Sequence, residues 1–428
     1  MPISQPLALV RHPKPEVKLR IIVTGLIAQH PTLGGVTWDY LQYVLGLARL
    51  GHDVFYFEDS GEWPYNLDGG PGGDDWVARD PMDTVRPLAK IFERYGLSES
   101  WAYRFPVEPQ WFGLSDQKRK EVLETADLLI NVSGTIEHPE QYRDVRRLVY
   151  IDSDPGFTQA KLAIQQEEFC RRVNAHDVHF TFGEAASSGV PVTGHHWRPT
   201  RQPIVLSEWW DPGTPREVFT TVMSWTSYKP LVLDGRTYGQ KDVEFQKFLD
   251  LPEKVGLGKL EVAMGRLHHV TWESQEMSLP PRAASLVHTH PNWTPGDLLE
   301  HMGWRLADPL RVCGDLDSYR DYIQSSKAEW SVAKNGYVRD RTGWFSCRSA
   351  CYLAAGRPVV VQDTGFTEVI PAGEGMLAFD TMDEAVEGIR AIESDYARHA
   401  KAARALAEEY FDSRKVLGRL IADAMATD

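Results

Sequence analysis

The chain predicts an α/β fold of two doubly wound parallel sheets. Three features carry this expectation: a strand, glycine loop, helix and strand at the start, renewed α/β alternation after residue 200, and a helix-forming tail. Leu19 to Ile27 (LRIIVTGLI) is a β-branched apolar run, the composition of a parallel strand buried on both faces. After the loop AQHPTLGG, Leu41, Val44, Leu45, Ala48 and Leu50 approximate a 3.6-residue stripe closed by Gly51, and DVFYFED then restarts a strand. Residues 61–80, rich in glycine and acids, read as an exposed loop, and 100–115 as a second one. Further strands are predicted at Ala126–Val132, Arg147–Asp152 and His179–Phe182.

Near residue 195 the sequence HHWRPTRQP has two prolines and no period, so it reads as a linker, with His195, His196, Arg198 and Arg201 placed toward a cleft. Beyond it, Phe219–Met223, Leu260–Met264 and Arg357–Gln362 have the composition of strands in a second sheet, and residues 382–428 should form two or three helices.

Composition narrows the function classes. At 42% hydrophobic and 25% charged residues, the chain belongs with soluble globular proteins. Its net charge of −14 disfavours nonspecific attraction to nucleic acid or an anionic lipid surface, although a local basic pocket stays open. Cys170, Cys313, Cys347 and Cys351 have neither paired-thiol spacing nor matched histidines, so reduced thiols and no zinc are expected. The N-terminal stretch lacks an apolar signal core, and no run approaches the roughly 18 to 20 apolar residues of a membrane span, which predicts a cytoplasmic protein. No heptad pattern speaks to oligomeric state.

Two segments are candidates for chemistry. Gly34 and Gly35 open the first helix, where free N–H groups suit an anion or a sugar, although a plain tight turn would use the same residues. Absence of G-x-G-x-x-G and of a Walker lysine argues against the usual nicotinamide and P-loop sites. The second segment is TGWFSCRSACYLAAGRPVVVQDTGFTE, residues 342–368. A helix opening at Ser346–Ser349, with Arg348 beside it, combines N–H groups, helix dipole and cation in a form that suits a diphosphate without a metal. A solvated arginine on an ordinary first turn remains the other reading.

In that second segment Ala354, Gly356, Pro358, Val359, Val360, Asp363, Gly365, Glu368, Val369 and Ile370 stand in an order similar to the donor-binding element of GT-B glycosyltransferases of the glycogen-synthase-like and family 4 group. Gly34 and Gly35, with Gly51, His52 and Val54 further on, resemble that group's N-terminal glycine loop and the strand after it. The likeness covers both ends of the chain and leaves residues 60–300 much less similar. It implies two Rossmann-like domains facing a cleft: a tail over 1–18, an acceptor-binding domain over 19–200, a nucleotide-sugar-binding domain over 201–405, and a C-terminal helix, 406–428, packing back on the first. It further implies sugar transfer from a nucleotide-diphosphate sugar to a small-molecule, natural-product or glycan acceptor, with no metal and no cofactor beyond the donor as co-substrate. Two glutamates customary in the group's donor helix, one near the transferred sugar or its phosphate and one on the ribose, are Gly343 and Cys351 here. The group's Arg and Lys pair is also not evident, although Lys229, Arg236 and Lys241 lie in its neighbourhood.

Within this reading the donor diphosphate falls to Gly34, Gly35, Lys334, Ser346, Arg348, Ser349, Gly365 and Glu368, and its sugar or nucleoside to Glu329, Asp363 and Trp344. Catalytic candidates are Asp152 and Asp154 in VYIDSDPGFTQ, at the strand end where open α/β sheets bind ligands, and His30 beside the glycine loop. Asp39 reads as a favourable first-turn acid, and Trp38, Trp225 and Trp304 join Trp344 as aromatics near the cleft segments. A nucleotide-sugar epimerase, another GT-B-fold enzyme or a noncatalytic sugar-nucleotide or glycan binder stay open.

Overall fold

The computed structural model describes residues 17–65, 77–211, 213–265 and 279–426. Its first sheet contains β1 (Arg20–Thr24), β2 (Asp53–Glu58), β3 (Trp101–Phe105), β4 (Gln110–Gly113), β5 (Leu128–Val132), β6 (Leu148–Asp152), β7 (Val178–Thr181) and β8 (Trp197–Pro199). Their order is β4-β3-β2-β1-β5-β6-β7-β8, parallel throughout except for the β3–β4 hairpin. The second half opens with β9 (Phe219–Ser224), followed by a small antiparallel hairpin of β10 (Leu231–Leu233) and β11 (Arg236–Tyr238). With β12 (Leu260–Gly265), β13 (Arg305–Ala307), β14 (Ala328–Ser331), β15 (Val359–Gln362) and β16 (Met376–Phe379), β9 forms a wholly parallel sheet in the order β13-β12-β9-β14-β15-β16.

Each sheet reverses its winding once, between β1 and β5 in the first and between β9 and β14 in the second. At such a switch point the loops leaving adjacent strands diverge and open a crevice beyond the carboxyl ends. At the first of these points the strands are apolar on both faces, with Ile21, Ile22, Leu129 and Ile130 buried, whereas β9 and β14 at the second bury Thr220, Thr221 and Glu329 beside Phe219, Met223 and Trp330.

One hydrophobic core runs through both halves, joining Trp38 and Tyr43 of the Gly34–Arg49 helix to Trp209, Tyr319, Tyr352 and Phe411. The last helix, Ser413–Met425, lies on Gly34–Arg49, with Leu417 against Gly46. Backbone bonds between Ile204 and the 411–413 turn fasten its start, and Arg147 and Arg198 cap its final carbonyls.

Several local expectations need correction. The first strand stops at Thr24, because Gly25 turns the chain so closely over the Tyr40 ring that a Cβ there would lie 2.5 Å from it. Residues 100–115 are largely the β3–β4 hairpin, whose aromatic strand WAYRF carried the signal. Trp197–Pro199, within the supposed linker, is an edge strand, a place where a sheet tolerates proline. His195 bonds Asn174 and packs against His179 and Trp197, while Arg201 pairs with Glu184, so this basic cluster does not turn to the cleft. Of the expected loop 61–80, residues 66–76 lie outside the described ones, as does most of the 1–18 tail.

Gly34 packs directly against the second half. A Cβ at this position would stand 1.9 Å from the carbonyl oxygen of Asp315, the N-cap of the Leu316–Ser325 helix in the second half. Gly34→Ala must therefore push the glycine loop off that helix, at the roughly 1–3 kcal/mol typical of overpacking. Denaturant unfolding of the variant is expected to show this loss, and an unchanged midpoint would refute the close approach.

Candidate functional site

A cavity of about 490 Å³ lies between the carboxyl edges of the two sheets, within the roughly 300–1,000 Å³ of small-molecule sites. From the first half it is walled by Gly35, Val36, Asp39, Tyr40, Ser133 and Asp154 among others, and from the second by Ser224, Lys241, Lys334, Tyr337, Trp344 and Arg348. Ser133 follows β5 and Ser224 ends β9, so both switch points open into it. Glu58 shapes the glycine-loop side: buried at the end of β2, it accepts the backbone N–H of Ala28 and Gln29 and the hydroxyl of Tyr56. Burial pushes its carboxyl up to about 7 against those bonds.

Three cations reach the cavity in different circumstances. Arg348, in the first turn of the Cys347–Ala354 helix, is held by buried Glu329 at 2.6 Å and by the carbonyl of Val222. Lys334 bonds Asp154 across the cleft at 2.9 Å and the hydroxyl of Tyr228 at 2.8 Å, within a cage of Phe157, Tyr228 and Tyr337. Lys241, at the start of the short helix Lys241–Phe245, has neither a hydrogen bond nor an ion pair among the described residues. Burial, then Arg348 and Lys334, push its ammonium well below the usual lysine range. An anion entering the cavity would relieve that penalty.

The two cavity acids contrast in the same way. Asp154 accepts from Lys334, Tyr228 and Tyr337; burial would raise its carboxyl, but the charge of Lys334 and these bonds bring it below the usual range. Asp39, one turn further into its helix than the first-turn place expected, has no partner for its carboxylate among the described residues. Burial pushes it up to about 7, with Arg348 opposing.

Of the residues singled out from sequence, the structure brings Gly35, Asp39, Asp154, Lys241, Lys334, Trp344, Ser346 and Arg348 to one cavity. Ser346 is the N-cap there, so first-turn amides without an intrahelical acceptor face the same space. The others stand elsewhere. Gly34 is filled by the Asp315 backbone, and Ser349 is buried beside a void of about 10 Å³. Glu329 is sealed beneath Arg348, its second oxygen unpartnered. Asp363 accepts from Arg341, Thr367 and the amide of Gly365, which spends that amide on a turn. Glu368 binds Ser187 of the first half. His30 stacks on Tyr65 at 4.9 Å. Asp152 is buried behind the cavity, held by Gln159, Thr181 and the amide of Asp154, and so orients the turn that presents Asp154. Trp38, Trp225 and Trp304 belong to the core, and Lys229 and Arg236 do not line the cavity.

Tyr228 and Tyr337 went unnoticed in the sequence, since a lone tyrosine in a loop or in the five-residue helix Asn335–Arg339 carries no periodic signal. The positive φ of Gly343 and a Cβ position 2.1 Å from the Ala185 amide show why no glutamate stands there.

No family model matches the chain, and no curated protein matches it in sequence. Solved structures do match in fold. An alpha-glucosyltransferase in complex with UDP-glucose and DNA containing an abasic site is 14% identical with a TM-score of 0.55, covering 96% of this chain and 100% of that one. The same coverage holds for an alpha-glucosyltransferase in complex with UDP, at 13% identity and 0.55. HepE from Anabaena in complex with UDP and glucose is 10% identical with a TM-score of 0.51, again over 96% and 100%. At these identities the likeness establishes the fold, which is GT-B.

Because Glu329 is fully buried and Arg348 is its ion-pair partner, Arg348→Ala strands a charge in the interior. A loss of about 3–5 kcal/mol in unfolding free energy is expected. A loss below 1 kcal/mol would mean that the arginine is not pinned.

Proposed function

We propose that this protein is a glycosyltransferase that moves a glycosyl group from a nucleoside diphosphate sugar to an acceptor. The observation that carries the proposal is Lys241, an unpaired cation in a cavity between two GT-B sheets, with Arg348 and Lys334 already committed to carboxylates beside it. A diphosphate is the anion whose charge and size this arrangement suits. As the bond to the sugar breaks, negative charge grows on the leaving phosphate, and preorganised cations and helix amides stabilise that charge more than the ground state. We assign residues 19–200 to the acceptor, 201–405 to the donor and 406–428 to a helix that ties the two.

The structural neighbours support a uridine donor for the first trial, because the alpha-glucosyltransferase binds UDP or UDP-glucose and HepE binds UDP. In the proposed site Lys241 takes the phosphate charge that a divalent metal would otherwise carry, so chelation should leave turnover unchanged. The acceptor remains a small molecule, natural product or glycan, bound on the Asp39 and Asp154 side.

The test is calorimetry with UDP, GDP and dTDP, followed by donor consumption from the matching sugars. Lys241→Gln is expected to weaken nucleoside diphosphate binding by roughly 1.5–3 kcal/mol, the range for bonds to charged groups. An anion raises the depressed lysine pKa, so affinity should fall as pH rises through a range below that of an ordinary lysine, with proton uptake on binding within that range; titration in buffers of different ionisation enthalpy measures this. If no nucleoside diphosphate binds, or Lys241→Gln binds it equally well, the proposal fails.

A further inference from the structure

We propose that the acceptor bears a protonated amine, which the Asp39 carboxylate receives; the assignment rests on the transferase reading above and names the acceptor class for the same cavity. The charged residues of the cavity wall are sorted by their half of the chain. Lys241, Lys334 and Arg348 come from the second half, which lends the wall no acid, whereas Asp39 and Asp154 come from the first, which lends it no cation. A cavity charged in this way is complementary to an anion held by the second half and a cation held by the first.

One of the two acids is free for that cation. Asp154 is taken by Lys334 and by the hydroxyls of Tyr228 and Tyr337. The Asp39 carboxylate makes neither a hydrogen bond nor an ion pair among the described residues. Its place is nonetheless fixed, because buried Gln202 donates to the Asp39 carbonyl at 2.8 Å and accepts from the thiol of Cys347, which ties this turn to the helix of the second half that carries Arg348. A carboxylate held in a cavity without a donor loses hydration and gains nothing in return. An ammonium group brings it both a charge and N–H donors. The rest of the first half's wall offers apolar surface at Val36, Val132 and Phe182 and hydroxyls at Ser133 and Ser153, which suits an amine borne on a hydroxylated ring, an amino sugar or an aminocyclitol.

The groups acting on Asp39 leave its charge to be set by the ligand. Tyr40 and Tyr43 on its own helix, Tyr319 on the Leu316–Ser325 helix, and Cys347 and Cys351 on the Cys347–Ala354 helix are all raised by burial and stay neutral around pH 7. Arg348 is the permanent charge that acts on it, and that guanidinium is already bonded to Glu329 and to the carbonyl of Val222. Burial pushes the acid up to about 7, and a bound ammonium would draw it back toward the ordinary carboxylate range. Below about pH 7 the free acid is therefore increasingly neutral, and affinity for the amine should fall with it.

The experiment uses the full chain with matched amine and hydroxyl probes: glucosamine with glucose, galactosamine with galactose, and trans-2-aminocyclohexanol with trans-1,2-cyclohexanediol. Saturation-transfer NMR gives their dissociation constants near neutral pH, with and without UDP, GDP or dTDP. At least one amine is expected to bind about 10-fold or more tightly than its hydroxyl partner. Asp39→Asn should bring that ratio below about 2-fold, while nucleoside diphosphate affinity changes by less than about 3-fold. In the unaltered protein the ratio should shrink as the pH is lowered from about 7, a range in which every probe amine stays protonated and Asp39 does not stay ionised; this reading decides the matter even if Asp39→Asn misfolds. If no amine binds more tightly than its partner, or if the ratio is unmoved by Asp39→Asn or by falling pH, the assignment is overturned, and nucleoside diphosphate binding in the same samples leaves the transferase reading intact. If no nucleoside diphosphate binds, the transferase reading falls and takes the acceptor role with it.

Discussion

The site depends on the ionic contact between Asp154 and Lys334, because it is made across the gap between the two sheets. Asp154 follows β6 of the first sheet, and Lys334 follows β14 of the second. Each alone would be a charged group half out of water with nothing to balance it. Tyr228 and Tyr337 add hydroxyls to the carboxylate, and their rings with Phe157 enclose the ammonium, so the pair is satisfied in a nearly closed space. Behind it, Asp152 spends both carboxylate oxygens on fixing the turn that carries Asp154. This arrangement explains why two acids two residues apart have different duties: the first builds the turn and the second spans the cleft.

Once that contact is made, the remaining charges sort themselves. Arg348 is committed to Glu329 and Lys334 to Asp154, which leaves Lys241 and Asp39 as the cavity's unpartnered cation and acid among the described residues. Both are displaced from their ordinary ionisation by the same cause, enclosure, and in opposite directions, as the charged form of each is the one disfavoured. Ligand binding is what such a pair lacks. A structural role would have supplied each with a partner, as it did for the four charges of the two ion pairs beside them.

Much of this was legible in the sequence. Apolar β-branched runs marked the central strands of the first sheet, and of the two motifs the 34–35 pair has Gly35 in the cavity wall, whereas none of residues 354–370 lines it. Lys334, Ser346, Arg348 and Trp344, singled out from the sequence, line one cavity. Partnership was the hidden property. That Arg348 is tied to Glu329 and Glu368 to Ser187 depends on residues 19 and 181 positions away, and no local pattern encodes such distances. Lys241 lay in view but was indistinguishable from Lys229 and Arg236 until the fold turned it into the cavity.

The two carboxylates that the resembled group keeps in its donor helix are missing here for a reason the packing supplies. Position 343 adopts a left-handed conformation against the backbone of Ala185, where a side chain of any kind collides with the first half. Position 351 is buried under the Gly34–Arg49 helix, where Gln42 reaches the sulfur of Cys351 at 3.7 Å and also accepts from Val205 and Trp209. A glutamate at either place would have to displace the opposite half of the chain. The departure from the pattern and the tight apposition of the halves are therefore one structural fact, and the apolar core that crosses between the sheets is its energetic support. Because the space for those acids has been taken by protein, charge in the cavity comes from elsewhere: the cation from the helix after the β10–β11 hairpin, and the free acid from the second turn of the helix that the glycine loop opens.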